Sequence, residues 1–331
     1  MRPGSRTLAL GLAAALGACR EPLPLAPVFD DVTRAPRDAS PPPRRTLRVA
    51  NFNVRRHFDP VCDSGRCGPG DFEAQPSPEA FAARSLEIAR GIAQLDADLV
   101  CLEEVENQPA LDAITRALPG YPTAVLGETG FAASVDVALV ARWPARAVQR
   151  HREAMLRRPD GSSTVFAREF LQVDLDLDLD REAAGVTVFC AHFRSQRNDD
   201  PGRRLAEAEG AREIILRYAE AAPERIVVLA GDLNDVPESA PLEALGRGGR
   251  LVRAVDPRAP ERAHTYVFDG VTRAIDHVWF VAGAPARLVP ESVSAHWQRF
   301  AREGFAGSDH AAITAEFEFL NPAPRSDGGG P

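Results

Sequence analysis

Eight residues of types that do chemistry stand at the ends of apolar runs. Asn53 closes LRVANFN, Glu104 follows DADLVCLE, His192 follows VFCA, and Asp232 and Asn234 follow IVVLAG. Asp276, with His277 beside it, interrupts AI and VWF, while Asp309 and His310 precede AAITAEF. Ionisable groups are rarely buried without a partner or a metal. One such residue would usually be a satisfied structural contact, but the same habit at six strand ends is hard to explain by packing alone. The oxygen donors Glu104, Asp309 and Asn53 suit Mg²⁺ or Mn²⁺ better than zinc. Histidines with carboxylate neighbours suit proton transfer or donation to a phosphoryl oxygen. The sequence contains no Gly-rich nucleotide loop, no Gly-x-Ser-x-Gly nucleophile turn and no His-Glu-x-x-His zinc motif.

Strands and helices must carry these residues. LRVANFNV alternates and then turns polar, as a buried strand running into a loop would. Residues 55–77 read as a loop. Ser77-Pro78-Glu79 then supplies an N-cap, a proline at the first helical position and an early acid, with Phe81, Ile88, Ile92 and Leu95 following at helical spacing. DADLVCLEEVEN reads as a strand and QPALDAITRAL as a short helix. Further strands are expected at VDVALVAR, REFLQVDLDLDLD, GVTVFCAHF, RIVVLAGDLND, AIDHVWFV and AAITAEFEFL. An amphipathic helix is expected over 203–220 through Leu205, Ala208, Ala211, Ile215 and Tyr218. Asp174, Asp176, Asp178 and Asp180 alternate with leucines and a valine. They could suggest a calcium site, but a half-buried strand with a solvated outer face is the simpler reading. Alternating strands and helices, some strands continuously apolar, predict an α/β class with sheets packed face to face and helices outside.

The chain has 331 residues and 44% hydrophobic content, enough for one sizeable core. No linker interrupts residues 46–321, so one domain, expected as a monomer, is read there. Net charge is −8, with every one of the 39 basic residues an arginine. This weighs against an extended polyanion-binding surface but leaves room for a local basic patch. Arg2 and Arg6 precede LALGLAAALGA, an apolar run too short to span a bilayer comfortably. Residues 1–18 therefore read as a signal peptide. Leu16-Gly17-Ala18-Cys19 resembles a bacterial lipobox with Cys19 as the acylated residue; an ordinary signal cut near Ala18 is the alternative. Several acyl chains would anchor the protein stably. Arg20 follows Cys19 where an inner-membrane retention signal would have Asp, so an exported, lipid-anchored protein at the outer membrane or cell surface is expected. Residues 19–45 read as a Pro-rich tether and 322–331 as a disordered tail. Cys62 and Cys67 read as a local disulfide, and Cys101 and Cys190 as small core residues.

In their order along the chain, NFN at 51–53, LEEVEN at 102–107, AHFRSQ at 191–196, GDLND at 231–235, IDH at 275–277 and SDH at 308–310 resemble the motifs of the endonuclease/exonuclease/phosphatase superfamily. The resemblance spans residues 47–319. It implies a four-layer α/β sandwich of two mixed β-sheets packed face to face, with helices on both outer sides. It also implies metal-dependent phosphoester hydrolysis with Mg²⁺ or Mn²⁺. Carried onto this sequence, it makes Glu104 the principal metal ligand, with Asn53 and Asp309 completing or supporting the site. Asp232 would position or deprotonate the attacking water, and Asn234 would hold a phosphoryl oxygen or the nucleophile. His310 would stabilise charge on phosphorus, with Asp276 fixing its tautomer. His192 would contact the phosphate or protonate the leaving oxygen.

Arg168 and Arg194 are candidate phosphate contacts, able to grip bidentately, or else surface ion-pair partners. Arg203 and Arg204 are expected on the solvated face of their helix. His57, His151, His264 and His296 are read as structural or exposed. Phosphodiesters of nucleic acid are the leading substrate reading. A phospholipid headgroup or an inositol or sugar phosphate is the second, since lipid anchoring would place the site near membranes. A catalytically silent binding lipoprotein is the third; it would be signalled by a lost catalytic residue, and none of the set is missing.

Overall fold

Alternation along the strands sorts side chains into three apolar layers, and that sorting decides the architecture. The computed structural model describes residues 46–177, 185–197, 199–283, 285–298 and 304–319. Residues 1–45, read above as signal peptide and tether and including Cys19, residues 322–331, read as a tail, and the Asp178–Asp180 end of the aspartate row lie outside the described residues. In chain order the elements are β1 (Thr46–His57), α1 (Pro78–Leu95), β2 (Leu99–Val105), α2 (Gln108–Thr115), β3 (Thr123–Gly127), β4 (Asp136–Ala141) and β5 (Ala145–Arg150). There follow β6 (Leu156–Arg157), β7 (Ser163–Thr164), β8 (Leu171–Asp176), β9 (Gly185–His192), α3 (Pro201–Ala221), β10 (Ile226–Asp232), α4 (Ala240–Gly246) and β11 (Leu251–Arg253). The chain closes with β12 (Tyr266–Phe268), β13 (Val271–Arg273), β14 (Asp276–Val281), β15 (Ala286–His296) and β16 (Ala312–Phe319).

Two mixed sheets result, ordered β15-β16-β1-β2-β4-β3 and β11-β14-β10-β9-β8-β5. Each has one central parallel pair, β1 with β2 and β9 with β10, and antiparallel strands elsewhere. Leu47, Val49, Leu99 and Cys101 of the first sheet meet Val173, Val188, Cys190 and Val228 of the second in the middle layer. The alternate residues Ala50, Phe52, Val100 and Leu102 pack under α1 and α2, and Phe189, Val227 and Leu229 pack under α3 and α4. Central strands covered on both faces must read as continuous apolar runs, which explains RIVVLAG and DLVCL. The fold is thus the four-layer α/β sandwich expected.

The helix signals act as chemistry requires. Ser77 accepts from the Ala80 N–H ahead of Pro78, and α1 ends where Asp96 turns left-handed at φ 44°. On α3, Arg204, Glu207, Ala208, Ala211 and Ile215 share the buried face. Arg204 is therefore not on the solvated face, as its position near a helix start suggests. It is 4% exposed and bonds Asp235 Oδ2 through Nε at 2.7 Å and Asp199 Oδ1 through Nη1 at 2.8 Å. The sandwich also corrects the reading of two cysteines. Cys62 is bonded to Cys67, but Cys101 and Cys190 are bonded as well, across the middle layer with Cα atoms 5.5 Å apart. They are core residues by burial, yet they face each other from different sheets, which neither apolar run reveals alone. Of the aspartate row, Asp174 accepts from Thr187 Oγ1 at 2.9 Å and Asp176 lies against Arg225 and Arg146, on the outer side of a strand whose Leu171, Val173 and Leu175 are buried.

Candidate active site

Parallel central strands bring their C-terminal ends to one edge of the sandwich, and the antiparallel neighbours β4 and β14 begin there. Asp232 pairs in register with His192 on one side and with Asp276 on the other. From the first sheet, the end of β1 brings Asn53 and the end of β2 brings Glu104. Gly231 lets β9 and β10 close at this point, since a Cβ there would collide with the Ala191 carbonyl.

The two sheets meet through Asn53. Its Nδ2 donates to Asp232 Oδ2 at 3.1 Å and faces Glu104 Oε1 at 3.5 Å, while its Oδ1 accepts the Arg55 N–H at 2.9 Å. Glu104 sits at a register shift in both of its pairings, with φ 66°, and Arg55 and Arg56 opposite it have φ 58° and 46°. This irregularity re-aims Glu104: strict alternation would send it toward α1 with Val100 and Leu102. The Arg56 N–H holds its Oε2 at 2.8 Å. A left-handed non-glycine residue costs about 1–3 kcal/mol and recurs at functional sites.

A second set converges beneath. His310 Nδ1 bonds Asp276 Oδ2 at 2.9 Å, both side chains being buried. Asp276 is fixed by Thr265, whose Oγ1 accepts its N–H, and His310 by Ser308, whose hydroxyl also donates to Asn53 O at 2.7 Å. Tyr266 packs on the imidazole with ring centroids 4.8 Å apart. Ligand atoms of Asp232, Asp276 and His310 lie within 4.8 Å of one another. His192 Nε2 stands 3.7 Å from Asp232 Oδ2, and its Nδ1 has no partner.

Burial and mutual charge set the protonation. Burial alone would lower His310, but Asp276 and then Asp232 and Asp309 push it up to about 10, so it is a cation. Burial first, then Arg168 and His310, holds His192 well below the usual imidazole range, so it is neutral. Burial and the Asp276 carboxylate push Asp232 up to about 7.

Sequence reasoning missed several members of the site. Asn51 and Glu103 lie one step deeper, where Asn51 Nδ2 donates to Glu103 Oε2 at 3.1 Å and reaches Asp276 Oδ1 at 3.4 Å. The signal was available, since Asn51 alternates with Leu47 and Val49, and Glu103 with Leu99 and Cys101. Glu207 was also readable as part of the buried face of α3. It accepts the N–H of Ala167 and of Arg194, each at 2.7 Å, and so fixes the two loops that carry Arg168 and Arg194. Tyr266 carried no such signal. Arg168 donates to Phe193 O at 3.1 Å, within the field of Glu104 and Asp232. Asn234, at φ 54°, donates its N–H to Asp232 Oδ1 at 2.9 Å and its Nδ2 to Phe193 O at 3.1 Å. Asp309 stands apart from the buried trio, half-exposed and 3.6 Å from the Arg55 Nε, on the wall of a cavity of about 370 Å³ that Tyr266 and Gln298 also line.

The donor set fits a hard divalent cation. Glu103, Glu104, Asp232 and Asp276 lie close together with Asp309 at their outer side, His310, Arg168 and Arg55 being nearby positive groups, and Glu103 Oε1 is buried without a partner. The upward shift of Asp232 expresses the same excess of negative charge, which a cation would offset.

Among solved structures, TDP2 from Caenorhabditis elegans superposes with TM-score 0.58 at 15% identity, over 82% of this chain and 74% of that one. D. rerio TDP2 complexed with a single-strand DNA product gives TM-score 0.57 at 14% identity, over 82% and 98%. The human Nocturnin catalytic domain with bound sulfate gives 0.55 at 16%, over 84% and 96%. At such identities the likeness is one of fold. No curated protein matches by sequence. The endonuclease/exonuclease/phosphatase family matches residues 50–310, from the middle of β1 to His310 itself. With six strand ends delivering their polar residues to one edge inside that span, the chain belongs to the endonuclease/exonuclease/phosphatase family of phosphoester hydrolases.

Proposed function

We propose that the protein hydrolyses phosphodiester bonds of nucleic acid outside the cytoplasm, using Mg²⁺ or Mn²⁺. The observation that carries the reading is geometric: Asp232 stands in register between His192 and Asp276, and Asp276 bonds His310 Nδ1 at 2.9 Å. Glu104 and Asp309 would hold the cation, with Asn53 as support; bound there, it supplies charge to the phosphoryl oxygens. Asp232 orients water and accepts its proton as the oxygen–phosphorus bond forms. His310 donates to the phosphoryl oxygen on which charge grows. His192, being neutral, serves as a hydrogen-bond donor to the phosphate, while the departing ester oxygen takes its proton from solvent. Asn234 fixes Asp232 through its backbone, and Arg168 and Arg194 meet phosphate from the β9 side. Two disulfides fit an oxidising compartment. This supports export and, with the lipobox, a lipid anchor at Cys19 on the outer membrane or cell surface.

The test offers the full chain plasmid DNA, RNA, sphingomyelin and inositol phosphates with Mg²⁺ or Mn²⁺. Nucleic acid should be cleaved, and chelation should abolish cleavage. Turnover of the lipid or inositol substrates alone would replace the nucleic-acid reading. In the same preparation wild type should partition with membranes and Cys19→Ala should not; equal partitioning removes the anchor.

A further inference from the structure

Among the described residues three phenylalanines are exposed: Phe72 at 49%, Phe131 at 62% and Phe268 at 51%. Each has an arginine over its ring. Arg56 lies 4.6 Å from the centroid of Phe72, Arg152 4.9 Å from Phe131, and Arg273 5.4 Å from Phe268. All three pairs stand at the edge of the sandwich that holds the site. Arg56 is in the last turn of β1, where its N–H holds Glu104. Phe131 is in the loop leading into β4, whose first residue, Asp136, pairs with Val105. Arg152 follows β5, whose last residue pairs with Leu171, itself opposite Cys190 two residues before His192. Phe268 and Arg273 belong to the β12–β13 hairpin, whose Tyr266 bridges to His310.

A single exposed phenylalanine needs no explanation. Three on separate loops around one site, each under a guanidinium, form a pattern that fold stability does not require, since an exposed cation–π pair contributes only about 0.5–1 kcal/mol. Phe72 is also braced edge-on by the buried Phe58, with centroids 5.8 Å apart, so it is held out rather than loose. Arg56 and Arg273 have no ion-pair partner among the described residues. Arg152, its side chain 20% exposed, pairs with the exposed Glu153, which a phosphate can replace.

Resting on the phosphodiesterase reading above, we propose that this rim binds single-stranded nucleic acid and delivers it to the site. Unpaired bases present flat faces that stack on a guanidinium-covered ring, while the guanidinium edges meet the backbone phosphates. A duplex keeps those faces inside its own stack.

The test compares the wild-type full chain with the triple variant Phe72→Leu, Phe131→Leu, Phe268→Leu, which keeps apolar bulk but removes the π faces. Fluorescence anisotropy with labelled oligothymidylate and chelator reads binding without turnover. The variant should bind roughly tenfold or more weakly and show a matching rise in KM for the oligonucleotide, while kcat/KM for bis(p-nitrophenyl) phosphate stays within about twofold. Wild type should bind the single strand more tightly than the same sequence as a duplex. Unchanged anisotropy in the variant, or equal affinity for the duplex, overturns the proposal. So does binding of phosphatidylglycerol vesicles by Cys19→Ala, lost in the triple variant made on that background, with no binding of oligonucleotide, which assigns the rim to a membrane. A wild type that turns over no phosphodiester would refute the hydrolase reading, and anisotropy would still decide the rim.

Discussion

The same physical terms that make Asp232 and His310 useful also bear on stability where they act on histidines outside the site. His57 is 2% exposed, stacked on Phe81 and within 3.1 Å of the Ser85 hydroxyl. Burial and then Arg84 lower its pKa from 6.5 to about 4. The unfolded chain therefore binds a proton between those values and the folded chain does not. Stability from this residue is complete above about pH 6.5 and is lost as pH falls toward 4. At about 1.4 kcal/mol per pH unit, His57 accounts for up to roughly 2 kcal/mol between pH 7 and 5. His277, buried against Asp235 O, is shifted the same way. Urea unfolding at pH 7 and pH 5 should show the wild type losing stability on acidification. His57→Gln should lose less by about that amount, whatever its stability at pH 7; an unchanged slope would show that His57 does not resist protonation.

At the scale of elements, geometry at the strand ends depends on how firmly the two sheets are fastened. Cys101 lies three residues before Glu104 in β2, and Cys190 two before His192 in β9, so their disulfide ties together the strands that present both groups. It closes a loop of sequence separation 89, and such a cross-link contributes typically about 2–4 kcal/mol. Replacing both cysteines by alanine should lower unfolding free energy by about that much and reduce turnover of bis(p-nitrophenyl) phosphate. Identical unfolding curves with and without the bond would show that packing alone holds the sheets in place. The elements themselves were legible to different degrees. Strands buried on both faces and helices with a cap and a proline announce themselves through alternation and composition. The exposed strand β5, the irregular strand β15 with its shift between Val289 and Ser294, the short helix α4 and the β12–β13 hairpin do not. Few side chains of β5, β15 and the hairpin are buried deeply enough to impose a pattern, and α4, though Leu242, Ala244 and Leu245 are buried, is too short to show one.

Across the whole molecule, the strand-end residues were readable because buried polar groups violate the apolar runs that contain them. Most of their pairings were not readable. The resemblance implied one pairing, Asp276 with His310; that Asn53 bridges Asp232 and Glu104 and that Cys101 meets Cys190 depend on which sheets face each other. Arg204 and Glu207 were missed because charged residues on a helix are assigned to solvent by type, although their spacing with Ala208, Ala211 and Ile215 places them on the buried face. The molecule thus places one acid-base pair and one cation-ready carboxylate cluster at a single edge, drawn from both sheets. Groups acting as such a unit lose function together. The decisive measurement is kcat for bis(p-nitrophenyl) phosphate with Mg²⁺ in wild type, Asp276→Asn, His310→Ala and the double variant, with folding checked by circular dichroism. Each single variant should lose about 10²–10³-fold, and the double should lose little more than the worse single. Turnover like wild type in His310→Ala, or losses that multiply in the double variant, would contradict the assignment of Asp276 and His310 as one catalytic unit.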